Sequence, residues 1–201
     1  METKKFERRD QLIAAALEEF IDKDYEKASL NTIIKNANLS KGVFYYHFKN
    51  KESLYIALLE DASNKKWQYI KTHSNNKDFC EMDIFDGFLY QAKIGVKFAR
   101  DFPKYHQLAR MFSKEKGNPI YHTSLKYIKI SGTDALEKMI KAAYQNEEIR
   151  SDYPISFTIP LLSHLFTEFD SIFYLDGNND LEKTLELLEK YVEFMRYGLK
   201  P

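Results

Sequence analysis

Breakers and thiols are scarce: among 201 residues there are seven glycines, five prolines and one cysteine. With so few breakers, and with apolar residues recurring at the helical period between them, an all-α fold is the economical reading. The single cysteine, Cys80, excludes an internal disulfide and a thiolate metal cluster, and it reads as an ordinary thiol near a helix start. His47, His73, His106, His122 and His164 never pair at ligand spacing, so no metal is expected. No cofactor is expected either. No stretch approaches the roughly 18 uncharged apolar residues of a membrane helix, and the opening METKKFERRD lacks a signal-type apolar core, so a cytoplasmic protein is expected. Net charge is also missing, with 30 basic residues against 30 acidic ones. What remains is 44% hydrophobic and 15% aromatic, which describes a folded chain of one large or two small domains.

The stretch from Ser29 to Leu54 carries most of the functional information. Leu30, Ile33, Ile34 and Ala37 recur at i, i+3, i+4 and i+7, giving a short helix with one apolar face and Ser29 as its cap. Asn38 ends it, since asparagine is the usual substitute for glycine in the left-handed conformation. Ser40 caps a second helix from Lys41, which turns Phe44 and Phe48 inward and presents Lys41, Gly42, Val43, Tyr45, Tyr46 and His47. This is the layout of a helix-turn-helix. Between Lys27 and Lys51 there are five lysines and no carboxylate, a local positive footprint suited to a polyanion. Gly42 costs helix stability but lets the backbone approach a phosphate or base edge. The expected DNA-binding set is Ser29, Ser40, Lys41, Gly42, Val43, Tyr45, Tyr46, His47 and Lys51. Within it Tyr46 and Lys51 hold phosphates, and Lys41, Val43 and Tyr45 read bases.

These residues resemble the TetR family of bacterial transcriptional regulators. Ile13, Ala14, Ala15, Ala16, Leu17, Phe20 and Tyr25 look like the family's first helix and its exit. Leu39-Ser40-Lys41-Gly42, Phe44-Tyr45-Tyr46-His47-Phe48 and Lys49-Asn50-Lys51-Glu52-Ser53-Leu54 look like its signature. Asp24 and Asn38 stand where the family usually has glycine, and both tolerate the left-handed conformation. The resemblance implies a homodimer, a C-terminal ligand-binding domain, and repression relieved by a small molecule. The expected organisation is a helix-turn-helix domain over 1–50 and a ligand-binding and dimerisation domain over 51–201, with 51–74 as the connecting helix.

In the first helix, Phe6, Ile13, Leu17 and Phe20 share a face. Lys4, Lys5, Arg8 and Arg9 at its start suit either a basic arm on DNA or a solvated first turn interleaved with Glu2, Glu7 and Asp10. Beyond the connecting helix, Asp78 and Glu81 form a capping-box signal for a helix to about Arg100. A short helix after Phe102-Pro103 ends near Lys116, and Gly117-Asn118-Pro119 opens a long helix to about Gln145. Between Phe79 and Tyr144 lie eleven Phe and Tyr residues, more than packing requires. A largely apolar pocket is therefore sought among Trp67, Phe88, Phe98, Phe102, Tyr105, His106, Arg110, Phe112, Tyr121, His122 and Tyr127. The aromatics have an alternative reading as ordinary core, Trp67 as a domain-core anchor above all, and the histidines one as hydrogen-bonded structure.

The last two helical segments are strongly patterned. Ile155, Ile159, Leu162, Phe166, Phe169 and Phe173 make one seam; after Gly177-Asn178-Asn179, Leu181, Leu185, Leu188, Val192, Met195 and Leu199 make another. The first also carries Phe157, Leu161, Leu165 and Ile172 on a second face, more apolar surface than one intrachain partner covers. A four-helix dimer interface is expected, with Leu162, Phe166, Phe169, Phe173, Leu185, Leu188, Val192 and Met195 in it. Pro160 should kink this helix or mark its start. From Glu147 to the end there are eleven acidic and five basic residues, which keeps this part away from DNA. Adjacent carboxylates such as Glu18-Glu19 read as solvated, and no nucleophile or acid–base pair argues for an enzyme. The expected protein is a dimeric regulator that binds a palindromic operator with half-sites about 34 Å or a multiple apart, and is released by a small ligand. The alternative is a DNA-binding regulator controlled by a protein partner.

Overall fold

The computed structural model describes residues 2–74, 82–128, 131–173 and 181–199, and every regular element among them is helical. In chain order they are α1 (Glu2–Asp22), α2 (Leu30–Asn36), α3 (Lys41–His47), α4 (Lys51–His73), α5 (Ile84–Asp101), α6 (Pro103–Lys114), a 3-10 turn (Glu115–Gly117), α7 (Pro119–Leu125), α8 (Ser131–Gln145), α9 (Ile155–Thr167), α10 (Phe169–Ile172) and α11 (Leu181–Leu199). No described helix is long and apolar enough to cross a membrane. Cys80, Phe79, the Asp78–Glu81 capping signal and the Gly177-Asn178-Asn179 turn lie outside the described residues, as do the side chains of Lys4, Lys5 and Phe6.

The chain forms two compact units, Met1–Gln68 with Asp101–Lys129, and Tyr69–Arg100 with Ile130–Pro201. This division keeps residues 1–50 within one unit. The first half of α4 and all of α6 and α7 pack with the helix-turn-helix. In this first unit Leu12, Ala16 and Phe20 of α1 meet Ile33 of α2, Phe44 of α3, Leu54, Tyr55 and Leu58 of α4, Leu108 of α6 and Ile120 of α7. Those of α1 lie four residues apart, and Leu58 of α4 lies three and four from Tyr55 and Leu54, the spacing that places them on one helical face.

Glu19 is the departure from pattern. Read from sequence as solvated, it is only 6% exposed and lies on the inner side of α1. Its carboxylate accepts the Ser29 N–H at 2.9 Å and the Lys23 ammonium at 2.7 Å. Burial pushes its pKa up, but the bonds from Lys23 and the Ser29 amide, with the Lys23 charge, outweigh burial and hold it below the ordinary value. The stability that Glu19 contributes is therefore complete above the unfolded pKa and is lost as pH falls through the lower folded one. Glu19→Gln is expected to cost about 2 kcal/mol at neutral pH, and to flatten the fall of the thermal midpoint below about pH 5. Parallel acid slopes for the two proteins in thermal melts would count against this assignment.

The second unit is built on Phe85 of α5, Ile140 and Ala143 of α8, Leu162 and Phe166 of α9, and Leu188, Tyr191, Val192 and Met195 of α11. Arg196 bonds Asp83 and Asp86, the Tyr191 hydroxyl donates to the Leu165 carbonyl at 3.0 Å, and Glu148 accepts the Ile84 N–H at 2.8 Å. Asp83 also caps α5, accepting the amides of Phe85 and Asp86.

Two elements differ from expectation. The long helix sought over 119–145 is two, α7 and α8. Ile120, Ser124 and Ile128 face the first unit's core, whereas Leu136, Ile140 and Ala143 face the second's, so the segments serve different cores. The helix expected over Ile155–Phe173 keeps Pro160 inside its first half but breaks after Thr167, whose hydroxyl donates to the Ser163 and His164 carbonyls and competes with the helical bonds. The seam expected at a dimer interface packs within the chain. Leu162, Phe166, Phe169, Leu188, Val192 and Met195 are at most 8% exposed within a single chain, and Phe173 and Leu185 pack against the same cluster. The apolar side chains left in solvent are others: Phe194 (76% exposed), Tyr197 (79%), Phe157 (48%) and Ile172 (39%).

Candidate nucleic-acid interface

The helix-turn-helix is laid out as its residues dictate. Ser29 Oγ accepts the Thr32 N–H at 3.3 Å and Ser40 Oγ accepts the Val43 N–H at 3.3 Å, so each hydroxyl caps its helix from outside. Asn38 is left-handed, with φ of 54°, and completes the turn. Asp24 is not left-handed. It makes its turn through the side chain, which accepts the Lys27 N–H at 2.9 Å and pairs with the Lys27 ammonium.

Phe44 is fully buried, and Phe48 lies 5.9 Å from it, ring to ring. With these two fixed, the opposite side of α3 must face outward, and Tyr45 and Tyr46 are 60% and 67% exposed. Lys41 and Gly42 are exposed on the first turn, while Val43 and His47 are half-buried at its sides. Two large aromatics held in solvent on a seven-residue helix are hard to explain by folding alone, since burying them would stabilise the chain.

Gly42 allows a sharp test. A Cβ built there would have only Ser40 Oγ near it, at 3.8 Å, an ordinary contact. The fold has room for alanine, which would gain roughly 0.5–1 kcal/mol of helix stability. Gly42→Ala is therefore expected to keep or slightly raise the melting temperature while weakening operator binding about tenfold. Undiminished binding would show that the backbone at Gly42 does not approach DNA.

Lys51, also in the expected set, is engaged within the chain. Its ammonium, expected on a phosphate, donates to the carbonyls of Tyr25 at 2.7 Å, Ala28 at 3.1 Å and Glu26 at 3.3 Å, and lies 4.5 Å from the centre of the Tyr25 ring. It ties the start of α4 to the loop between α1 and α2. Asn50 and Ser53 cap α4 reciprocally, through Ser53 N–H to Asn50 Oδ1 at 2.8 Å and Asn50 N–H to Ser53 Oγ at 3.1 Å. Arg9, a candidate for the basic arm, is half-buried, with its guanidinium 5.9 Å from the centre of the Phe48 ring.

The residues sought for a ligand pocket divide between the units. Phe88 and Phe98 fall in the second and the other nine in the first. Phe88 stacks on Phe166 at 4.1 Å, and the edge of Phe98 meets Tyr69 at 5.4 Å. In the first unit Phe112 stacks on Tyr121 at 4.7 Å, and His122 meets Tyr121 edge-on. The Lys65 ammonium lies 4.7 and 4.8 Å from the centres of the Phe102 and Tyr105 rings, with the Tyr105 hydroxyl on Asp61 at 3.4 Å. Burial, and then the Asp61 charge and hydrogen bond, raise the Tyr105 pKa. Arg110 donates to Gln107 at 3.4 Å, His106 is exposed, and Trp67 and Tyr127 are 38% and 55% exposed. An open depression in this unit, bordered by Asp22, Lys23, Asp24, Glu26, Lys27, Met111, Lys114, Glu115 and Asn118, includes none of the expected pocket residues. Among the described residues no group of three His, Cys, Asp or Glu could hold a metal.

Sequence reasoning passed over Glu115 as well as Glu19. Glu115 is 6% exposed, and its carboxylate accepts the Tyr25 N–H at 2.6 Å from ninety residues away. No sequence signal pairs positions so far apart.

Residues 12–58 match the profile of bacterial regulatory proteins of the tetR family. Over 136 residues the chain is 27% identical to the HTH-type transcriptional regulator QacR of Staphylococcus aureus, covering 62% of this chain and 72% of the relative. In fold it is similar to a TetR family transcriptional regulator from Chloroflexus aurantiacus, with a TM-score of 0.72 at 19% identity over 100% of this chain and 98% of the other. It is also similar to the transcriptional regulator FadR of Bacillus subtilis in complex with stearoyl-CoA, with a TM-score of 0.70 at 21% identity over 94% and 97% of the two chains. The segment that holds the capped helix-turn-helix thus matches the tetR family of bacterial regulatory proteins, and the helical fold of the whole chain is similar to that of regulators of this family.

Proposed function

We propose that the protein is a dimeric repressor that binds a palindromic operator through α3 and leaves it when a small apolar or aromatic ligand binds. The observation that carries the DNA reading is the outward face of α3, where Tyr45 and Tyr46 stand exposed on a helix capped by Ser40 and pinned by Phe44. Lys41, Val43 and Tyr45 read base edges; Tyr46, with the hydroxyls and amides of the helix starts at Ser29 and Ser40, holds phosphates.

Dimerisation rests on the outer faces of α9 and α11. Phe194 and Tyr197 stand on the side of α11 opposite Leu188, Val192 and Met195, and Phe157 on the side of α9 away from Leu162 and Phe166. Such side chains lie in solvent unless a second copy covers them, and a two-fold pair of reading heads supplies the specificity that one short helix lacks. The ligand reading is supported by the many aromatic side chains beyond α4 and by the acyl-CoA held by the FadR relative. Mutual stacking of Phe112 on Tyr121, and of Phe88 on Phe166, favours the second reading, control by a protein partner, because rings packed on one another leave less surface for a ligand.

The deciding experiment is binding of the purified protein to DNA around its own gene, at two salt concentrations and against scrambled competitor. Competitor-resistant binding is expected, followed by release on titration with fatty acyl or aromatic compounds. Salt-sensitive, sequence-blind binding would sink the operator reading. Tight binding that no such compound releases would favour the partner-controlled one.

A further inference from the structure

The loop between α1 and α2, which launches the helix-turn-helix, packs Tyr25 and Ala28 on the first unit's core and is also held by charged side chains from three other elements. Glu19 of α1 accepts the Ser29 amide. Lys51 at the start of α4 donates to the carbonyls of Tyr25, Glu26 and Ala28. The third comes from outside the family-matched segment: Glu115, in the 3-10 turn after α6, accepts the Tyr25 N–H at 2.6 Å. The Tyr25 residue is thus gripped at both backbone groups, its N–H by Glu115 and its carbonyl by Lys51 at 2.7 Å. Glu115 is 6% exposed, so its carboxylate is shielded from water and its bond to the amide is of the strong, charge-assisted kind.

We infer that Glu115 is a positioning residue for DNA binding, its buried carboxylate fixing the Tyr25 peptide and so the loop from which α2 and α3 are hung. The role rests on the operator-binding reading for its consequence, but the positioning itself is a property of the free protein. Tyr25 lies four residues before the Ser29 cap, and no other described side chain bonds its N–H. Withdrawal of the carboxylate leaves this part-buried donor unpaired and frees the loop to shift relative to α4. The corner between α6 and α7 then becomes the place where events beyond residue 100 reach the reading head, since any displacement of that corner removes the acceptor from Tyr25.

The test uses the full chain in two arms. In the first, amide hydrogen exchange is followed by mass spectrometry over residues 23–36 without DNA. Glu115→Ala is expected to speed exchange in the loop and α2 about tenfold, leaving α8 and α11 unchanged, while Glu115→Gln, which keeps an acceptor oxygen, stays within about threefold of wild type. Glu115→Asp keeps the charge but loses reach, and is expected to resemble the alanine variant; it decides the matter if Glu115→Ala does not fold. In the second arm, affinity for the duplex recovered from the protein's own promoter is expected to fall about tenfold for Glu115→Ala and Glu115→Asp with the salt slope unchanged, because no phosphate contact is lost. Wild-type exchange in the aspartate variant, or a glutamine variant no better than aspartate, overturns the inference. So does loop exchange that rises without loss of affinity. If wild-type protein shows no preference for any duplex, the operator reading has failed and the exchange arm alone decides whether Glu115 holds the loop.

Discussion

Phe194→Asp combined with Tyr197→Asp is expected to yield a monomer that keeps its fold and loses operator affinity by about a thousandfold. The two side chains are 76% and 79% exposed and contribute nothing to the core of their own chain, so the substitution leaves the packing of Leu188, Val192 and Met195 intact. Two carboxylates per chain at a two-fold contact meet their own copies, and four like charges deprived of water are prohibitive there. Splitting the dimer turns one bidentate encounter with a palindrome into two independent ones, a loss of roughly 10²–10⁴ in avidity. Light scattering after size exclusion reads the mass, circular dichroism the fold, and a filter or anisotropy titration the affinity. The counter-experiment is Met195→Asp, which enters the core and is expected to unfold the second unit. Persistence of a dimer in the double variant would place the contact elsewhere.

Lys51→Met carries the second large effect. Three backbone carbonyls receive the Lys51 ammonium, and the Tyr25 ring lies 4.5 Å beneath it. Hydrogen bonds involving a charged donor contribute about 1.5–3 kcal/mol each when partly shielded, and the ring contact adds about 0.5–1 kcal/mol; the geometry is shared, so the total is not a sum. An overall loss of about 2–3 kcal/mol is expected, read as a lower melting temperature of the first unit. Operator binding should weaken for all sequences while the salt slope stays near that of wild type, because the ammonium is spent on carbonyls. A phosphate contact would behave in the opposite way: little loss of stability, and a slope shallower by about 0.9 for each contact removed. Calorimetry together with a salt titration separates the two roles.

Both effects expose what pattern reading could and could not reach. Helical period, caps and the left-handed turn are local properties, decided within four residues, and Ser29, Asn38, Ser40, Phe44 and Phe48 behave as their positions dictate. The exposed face of α3 followed at once, since burying Phe44 and Phe48 leaves Tyr45 and Tyr46 no other side. The apolar seams of α9 and α11 were equally legible, but their partner was not. Periodicity says that a face is buried and is silent on whether its own chain or a second copy buries it. Leu162 and Met195 therefore look like interface residues in sequence and are core in structure, while Phe194 and Tyr197 are what the core leaves over.

Charged residues show the same limit from the other direction. Glu19, Lys51 and Glu115 are polar letters in a helical pattern, and the pattern assigns polar letters to solvent. Their burial depends on backbone amides and carbonyls in the loop between α1 and α2 that have no partners of their own and recruit charges from α1, α4 and the turn after α6. What the sequence determined by itself was the helical period, the caps of α2 and α3 and the side of α3 left outward by Phe44 and Phe48, because these are set by neighbours along the chain. What the tertiary structure alone decided was which apolar faces remain uncovered and which charges hold the reading head in place, because those depend on atoms brought together from ninety residues apart.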